Sequence, residues 1–317
     1  MSVFVGSMLD NVLNELERTA KLPLDKGDNI YLKLGIDKIP AILLDNTDRN
    51  RTSPFAFTGN KFELRAVGSS ANSSSAMTVL NAIVAEQLIL FKQAVDAQLE
   101  QGKKKEVAIV DVLREYVISS KDVRFEGNGY SPEWKEEAAR RGLANVATTP
   151  QALDALVTQK AEALFARHGI FSPVELHARH EILLEEYLKK IQIESRVMGD
   201  LAINHIIPTA VEYQTKLITN VRGLRELGLD DESAQVTIDT IKAISRHIAT
   251  IKTEADAMVN SRKTANKIED TRERAIVYCD TVKAHFDPIR RAVDKLELMV
   301  ADEDWPLVKY RELLFRH

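Results

Sequence analysis

Residues 241–258 read IKAISRHIATIKTEADAM, and residues 275–300 read AIVYCDTVKAHFDPIRRAVDKLELMV. In the first stretch Ile241, Ile244, Ile248, Ile251, Ala255 and Met258 recur at spacings of 3-4-3-4-3. In the second, Ala275, Cys279, Val282, Phe286, Ile289, Val293, Leu296 and Val300 recur at 4-3-4-3-4-3-4. A helix with that repeat carries its apolar side chains as one stripe, which is buried only against another helix. Lys242, Arg246, Lys252, Arg290, Arg291 and Asp294 stand around the stripes, as solvated faces require. The polar link over 260–270 is short, so the two helices are expected to pair antiparallel. Pro288 predicts a local bend in the second.

Working back towards the N-terminus, Ser172-Pro173 is a helix start, with serine as N-cap and proline in the first turn. Leu176, Leu183, Leu184, Leu188, Ile191, Met198 and Leu201 make its apolar face, which predicts the third partner of the bundle. Pro208 should kink or break this helix near Ile207. Thr149-Pro150 and Ser131-Pro132 repeat the start signal. After Gly142 only Gly169, Gly199, Gly223 and Gly228 remain, whereas the earlier part mixes short apolar runs with turn residues. Helices are expected over 8–18, 77–99 and 107–119. Strands are expected at Asn29–Leu34, Ile39–Leu44, Thr52–Phe57 and Lys61–Val67, the last two joined through Thr58-Gly59-Asn60. The fold class is therefore α+β, predominantly α, with a seam near residues 120–150.

Composition narrows the function classes. The 317 residues carry 43 Lys+Arg against 47 Asp+Glu, a formal charge of −4, so no basic excess points to nucleic acid. No unbroken run of 18 apolar residues occurs, so neither a membrane span nor a membrane partner is expected. The N-terminal MSVFVGSMLD is too short and poorly flanked for a signal peptide. A single cysteine fits a reducing compartment such as the cytoplasm.

The chemistry-bearing candidates lie between residues 45 and 65. A dense polar loop, Asp45–Arg51, follows an apolar strand, a common place for a positioned site. In the next strand Lys61, Glu63 and Arg65 share one face, about 7 Å apart in succession. Arg49-Asn50-Arg51 with Lys61 and Arg65 could hold a phosphate or anionic substrate through charge-assisted hydrogen bonds. Glu63 could hold a divalent cation that phosphates also touch. A plain solvated strand face has the same pattern. His177 and His180 sit three apart on a helix, but no second histidine–carboxylate set accompanies them. Glu126-Gly127-Asn128-Gly129-Tyr130 reads as a turn, without the Lys-Ser/Thr that completes a P-loop. Cys279 reads as packing, and Lys103–Lys105 as a solvated helix end.

Residues 45–72, DNTDRNRTSPFAFTGNKFELRAVGSSAN, resemble the type III glutamine synthetases. The resemblance continues through Glu126–Ser131, Thr148-Thr149-Pro150, 185–205 and the closing WPLVKYRELLF over 305–315, covering essentially the whole chain. It implies a remnant of the glutamine synthetase catalytic β-sheet domain over 1–120, followed by a type III helical C-terminal domain over 121–317. It implies ATP-dependent condensation of glutamate and ammonia through a γ-glutamyl phosphate, with magnesium or manganese as cofactor and ATP as co-substrate. By motif, Glu63 would be a metal ligand and Arg65 would hold the glutamate carboxylate. Arg51 would stabilise the transferring phosphate. Lys61 and Thr52 would lie near the nucleotide, and Asn50 would shape the substrate loop. Family members are about twice as long and assemble into rings. No β-grasp region, upstream carboxylate motif or Asn-Gly-Ser-Gly-x-His segment is found here, and Phe55-Ala56-Phe57 stands where other classes carry a second arginine. The N-terminal half is thus expected to be missing, and the chain to be inactive alone. The alternative reading from the residues is a non-catalytic helical assembly module.

Overall fold

The computed structural model describes residues 2–18, 51–58, 61–66, 68, 71–228 and 231–314. Two compact units divide the chain: Met1–Val146 with Ala163–Ile170, and Ala147–Glu162 with Phe171–His317.

The first unit holds a three-stranded sheet of order β1-β2-β3 among the described residues. β2 (Phe55–Phe57) and β3 (Phe62–Leu64) form the expected hairpin, shorter at both ends than the alternation suggests. Their register is Phe55 opposite Leu64, Ala56 opposite Glu63 and Phe57 opposite Phe62. The Thr58 N–H donates to the Lys61 carbonyl at 2.8 Å and closes the turn. β1 (Val3–Phe4) pairs parallel with β2, a strand too short to show any alternation in the sequence. The strands expected at 29–34 and 39–44 lie outside the described residues.

Helix α1 (Ser7–Arg18) follows β1. α2 (Ser74–Glu100) starts before the expected Met77, and Asn72 Oδ1 accepts the Ser74 N–H at 2.8 Å. α3 (Lys105–Ser119) packs on the C-terminal part of α2, where Val95, Ala108 and Val112 are buried with Phe91, Leu99 and Tyr116 beside them. The N-terminal part of α2 leaves Met77, Val84 and Leu88 exposed. By length and composition alone α2 is long and apolar enough to cross a membrane, a test that core helices of soluble proteins also pass. Its apolar residues do not run unbroken: Thr78, Asn81, Glu86, Gln87, Lys92 and Gln93 interrupt them. Glu86 is ion-paired with Arg167 and, at 2.9 Å, with His168. α4 (Pro132–Arg140) starts as expected, with the Trp134 N–H donating to Ser131 Oγ. Trp134 is buried and stacks on Phe125 with ring centroids 4.3 Å apart.

The second unit is a helical bundle. α5 (Thr149–Leu153) is capped by Thr148, one residue before the expected Thr149. α6 (Gln159–Arg167) bridges the division of the chain. α7 (Pro173–Leu201) opens with a full capping box, Ser172 and Glu175 each bonding the other's backbone N–H. The helical path continues past Pro208. A π turn at Ala202–Ile206 leads into α8 (Ile207–Glu226). Pro208 has no N–H for the Asn204 carbonyl, and its ring would press on that group; one wider turn accommodates both. α9 (Asp231–Ala265) is the expected heptad helix. Its partner is less regular: α10 (Thr271–Val277), a π turn (Tyr278–Val282), a 3-10 turn (Lys283–His285) and α11 (Phe286–Glu297). The core joins Leu184, Leu188 and Ile191 of α7, Ile244 and Ile251 of α9, and Val282, Ile289 and Leu296. α12 (Tyr310–Leu313) closes the described chain.

A polar clip ties three segments of this unit together. Asp154 takes Nε and Nη2 of Arg272 at 2.8 and 2.7 Å, and His180 Nε2 lies 3.2 Å from its Oδ1. The Arg272 guanidinium holds the Asp154 carboxyl below its ordinary pKa. Stability from this group is therefore complete above the ordinary carboxylate pKa and is lost as pH falls through the lowered value. Asp154→Asn is expected to cost up to about 1 kcal/mol at neutral pH, as for a solvent-screened pair, and nearly nothing in acid. Thermal melts across that range check it, and a cost independent of pH would count against the clip.

Candidate functional site

Strand alternation brings Lys61, Glu63 and Arg65 together as expected. Glu63 Oε1 lies 3.4 Å from Lys61 Nζ, and Arg65 Nη2 lies 3.3 Å from Glu63 Oε2. Thr58 Oγ1 donates to Glu63 Oε1 at 3.5 Å. Lys61 first, and then Arg65, hold the Glu63 carboxyl below its ordinary pKa, so it is ionised at neutral pH. On the opposite face Phe62 stacks on Phe55 at 5.2 Å, which fixes the strand. The Arg65 N–H donates to the Pro54 carbonyl at 2.7 Å, so the Arg65 end of the hairpin is the end nearer Thr52 and Arg51.

Arg51 is exposed and has φ +52°, the one positive φ outside glycine among the described residues. A non-glycine residue in that region carries strain, which is most often retained where position matters. Asn50 lies outside the described residues. Ser53, after Thr52, is fully buried, with its Oγ 3.1 Å from the Ser2 carbonyl and 3.0 Å from the Phe55 carbonyl.

The segment read as a plain turn does more than turn. The Phe125 N–H donates to the Val3 carbonyl at 3.0 Å. Glu126 Oε1 accepts the Val5 and Gly6 N–H groups at 3.1 and 3.2 Å. Burial pushes its carboxyl above the ordinary pKa, against the pull of those bonds. The Gly129 N–H donates to the Thr52 carbonyl at 2.6 Å. These partners lie more than 70 residues away in sequence, where no spacing rule reaches.

The described residues do not complete a divalent-metal site. Magnesium or manganese needs about six oxygen ligands, and no group of three His, Cys, Asp or Glu side chains among the described residues could hold an ion. Glu63 would supply one ligand. His177 pairs with Glu162 at 2.9 Å and His180 with Asp154, so the two histidines face different carboxylates. In the bundle, an apolar groove of about 610 Å³ is lined by Val197, Met198, Ile289, Val293, Trp305 and Leu307.

A charged hairpin beside a strained arginine turn, followed by a long-helix bundle, makes an α+β protein that is predominantly α. Residues 108–225 match the family model described as the glutamine synthetase C-terminal domain. The chain is 48% identical over 319 residues to a protein named glutamine synthetase from Bacteroides fragilis, covering 99% of this chain and 44% of that protein. It is 34% identical over 321 residues to the type-3 glutamine synthetase of Dictyostelium discoideum, covering 99% and 43%. A glutamine synthetase of Butyrivibrio fibrisolvens is 32% identical over 326 residues, again covering 99% of this chain and 44% of its own. The chain belongs to the glutamine synthetase family, and it spans less than half the length of these relatives.

Proposed function

We propose that this chain contributes part of the active site for ATP-dependent condensation of glutamate with ammonia through γ-glutamyl phosphate. The observation that carries the reading is Glu63 held ionised between Lys61 and Arg65 on one strand face, beside the strained Arg51 turn. Phosphoryl transfer depends mainly on positioning and on fixed positive charge around the moving phosphoryl group. In this reading Arg51 faces that group. Arg65 pairs with the substrate carboxylate, for which a guanidinium is geometrically suited. Lys61 and Thr52 border the nucleotide, and Asn50 shapes the loop. Glu63 is one ligand of a magnesium or manganese ion whose other ligands would come from outside the described residues, so no step is routed through it. Residues 1–120 are assigned to the catalytic sheet region and 121–317 to the helical C-terminal domain. The reading includes ring self-association and, from the single free Cys279, a cytoplasmic setting.

Alone, the chain is expected to show no γ-glutamyl transfer with ATP, magnesium or manganese, and glutamate above a Glu63→Ala control. The positive test is a chimera in which this chain replaces the matching stretch of the Bacteroides fragilis relative. An active chimera supports the reading. A folded, assembled chimera without activity refutes it. The apolar groove favours a second role, helical assembly, which an unassembled but active chimera would argue against.

A further inference from the structure

We propose that Gly129 is a positioning residue that holds the Arg51 turn in its strained, phosphate-facing form. The inference rests on the reading of Arg51 given above.

Gly129 touches the turn in two ways. Its N–H donates to the Thr52 carbonyl at 2.6 Å, one residue after the left-handed Arg51. Its missing side chain permits that approach. A Cβ there would lie 2.1 Å from Ser2 Oγ, 3.1 Å from the Thr52 carbonyl oxygen and 3.2 Å from Ser2 Cβ. The neighbours are held. Ser2 and Ser53 are both fully buried, with their hydroxyls 3.2 Å apart and Ser53 Oγ bonding the Ser2 carbonyl. The loop is anchored ahead of Gly129 and braced within itself. Glu126 grips the Val5 and Gly6 N–H groups, and Asn128 accepts the Tyr130 N–H at 3.0 Å. A positive φ at arginine relaxes to ordinary backbone unless its surroundings forbid it. The carbonyl pinned by Gly129 lies one residue from the strained Arg51.

The test uses the full chain, with nuclear magnetic resonance reporting on Arg51 and inorganic phosphate as the probe. In the unaltered chain the Arg51 side-chain signal should shift with phosphate, and its Cα signal should sit at the left-handed position. Gly129→Ala should move the Cα signal to the extended position and weaken the phosphate response about tenfold or more, as expected for misplacement by about 1 Å. Adding Ser2→Ala, which removes the oxygen at 2.1 Å, should restore much of both. A role confined to stability would lower the melting temperature and leave the Arg51 signals of the folded fraction unmoved. Unmoved Arg51 signals in Gly129→Ala overturn the proposal while leaving Arg51 its phosphate. An Arg51 blind to phosphate in the unaltered chain overturns both readings. Should Gly129→Ala not fold, amide exchange in the unaltered chain decides. The Gly129 N–H should exchange about tenfold or more slowly than that of Gly127, and equal rates overturn the proposal.

Discussion

Arg51→Ala in an active chimera is expected to lower the rate constant of γ-glutamyl transfer by about 10²–10³-fold, with a far smaller change in KM for glutamate. A fixed donor aimed at charge that develops in the transition state contributes to the rate and little to ground-state binding. Arg65→Ala should show the opposite balance, because a residue pairing with the substrate carboxylate acts before and during the transfer alike. The backbone supplies an independent check. Arg51 has φ +52°, a region that costs a non-glycine residue about 1–3 kcal/mol. Arg51→Gly should therefore raise thermal stability slightly while the rate falls as it does for alanine. A loss of both together would mean that the turn is a folding element. Steady-state kinetics and thermal melts on the same preparations separate the cases. A loss of only a few-fold in rate for Arg51→Ala would remove Arg51 from the reaction.

Tyr278→Ala is expected to destabilise the helical unit by about 3–5 kcal/mol, as for a buried aromatic reduced to alanine. Cys279→Ala, one residue along, should cost less than about 1 kcal/mol. The contrast arises from the π turn at Tyr278–Val282. Heptad spacing places Cys279 on the buried stripe. The structure buries Tyr278 completely and leaves Cys279 at intermediate exposure. A π turn takes up one more residue than an α turn, so the stripe changes phase there. Tyr278 also carries polar partners. Its hydroxyl donates to Asn266 Oδ1 at 2.6 Å and accepts from Gln192 Nε2 at 3.2 Å. Tyr278→Phe isolates that part, with an expected cost of about 1 kcal/mol. Chemical denaturation of the three variants ranks them, and equal costs for Tyr278→Ala and Cys279→Ala would mean that the regular stripe continues through the segment.

Much of the fold was legible in the sequence because it rests on short-range patterns. The 3-4 spacing of Ile244, Ile248, Ile251, Ala255 and Met258, the Ser172-Pro173 start and the alternation of Lys61, Glu63 and Arg65 each encode geometry within a few residues of themselves. Those elements appear where expected, and the trio meets on one face. Less legible were features set by a missing hydrogen bond. Pro208 announced a disturbance, but its form, one π turn, depends on what the neighbouring helices allow. β1 was not legible, since two residues show no alternation and the pairing that makes them a strand lies some fifty residues away.

The candidate site divides the same way. Its charged residues were visible as a motif, because side-chain chemistry and period are properties of a few neighbouring positions. The restraint on Arg51 was not visible. It comes from Gly129, brought against Thr52 by long-range folding, where its missing side chain leaves room for the buried Ser2 hydroxyl. By itself the sequence determined which charged groups share one strand face and which faces of its helices would pack. Tertiary structure decided which of those groups are held, how strained the holding is and which residue of a stripe reaches the core. Local patterns specify periods and chemical types, whereas close approach depends on the space that distant segments leave to one another.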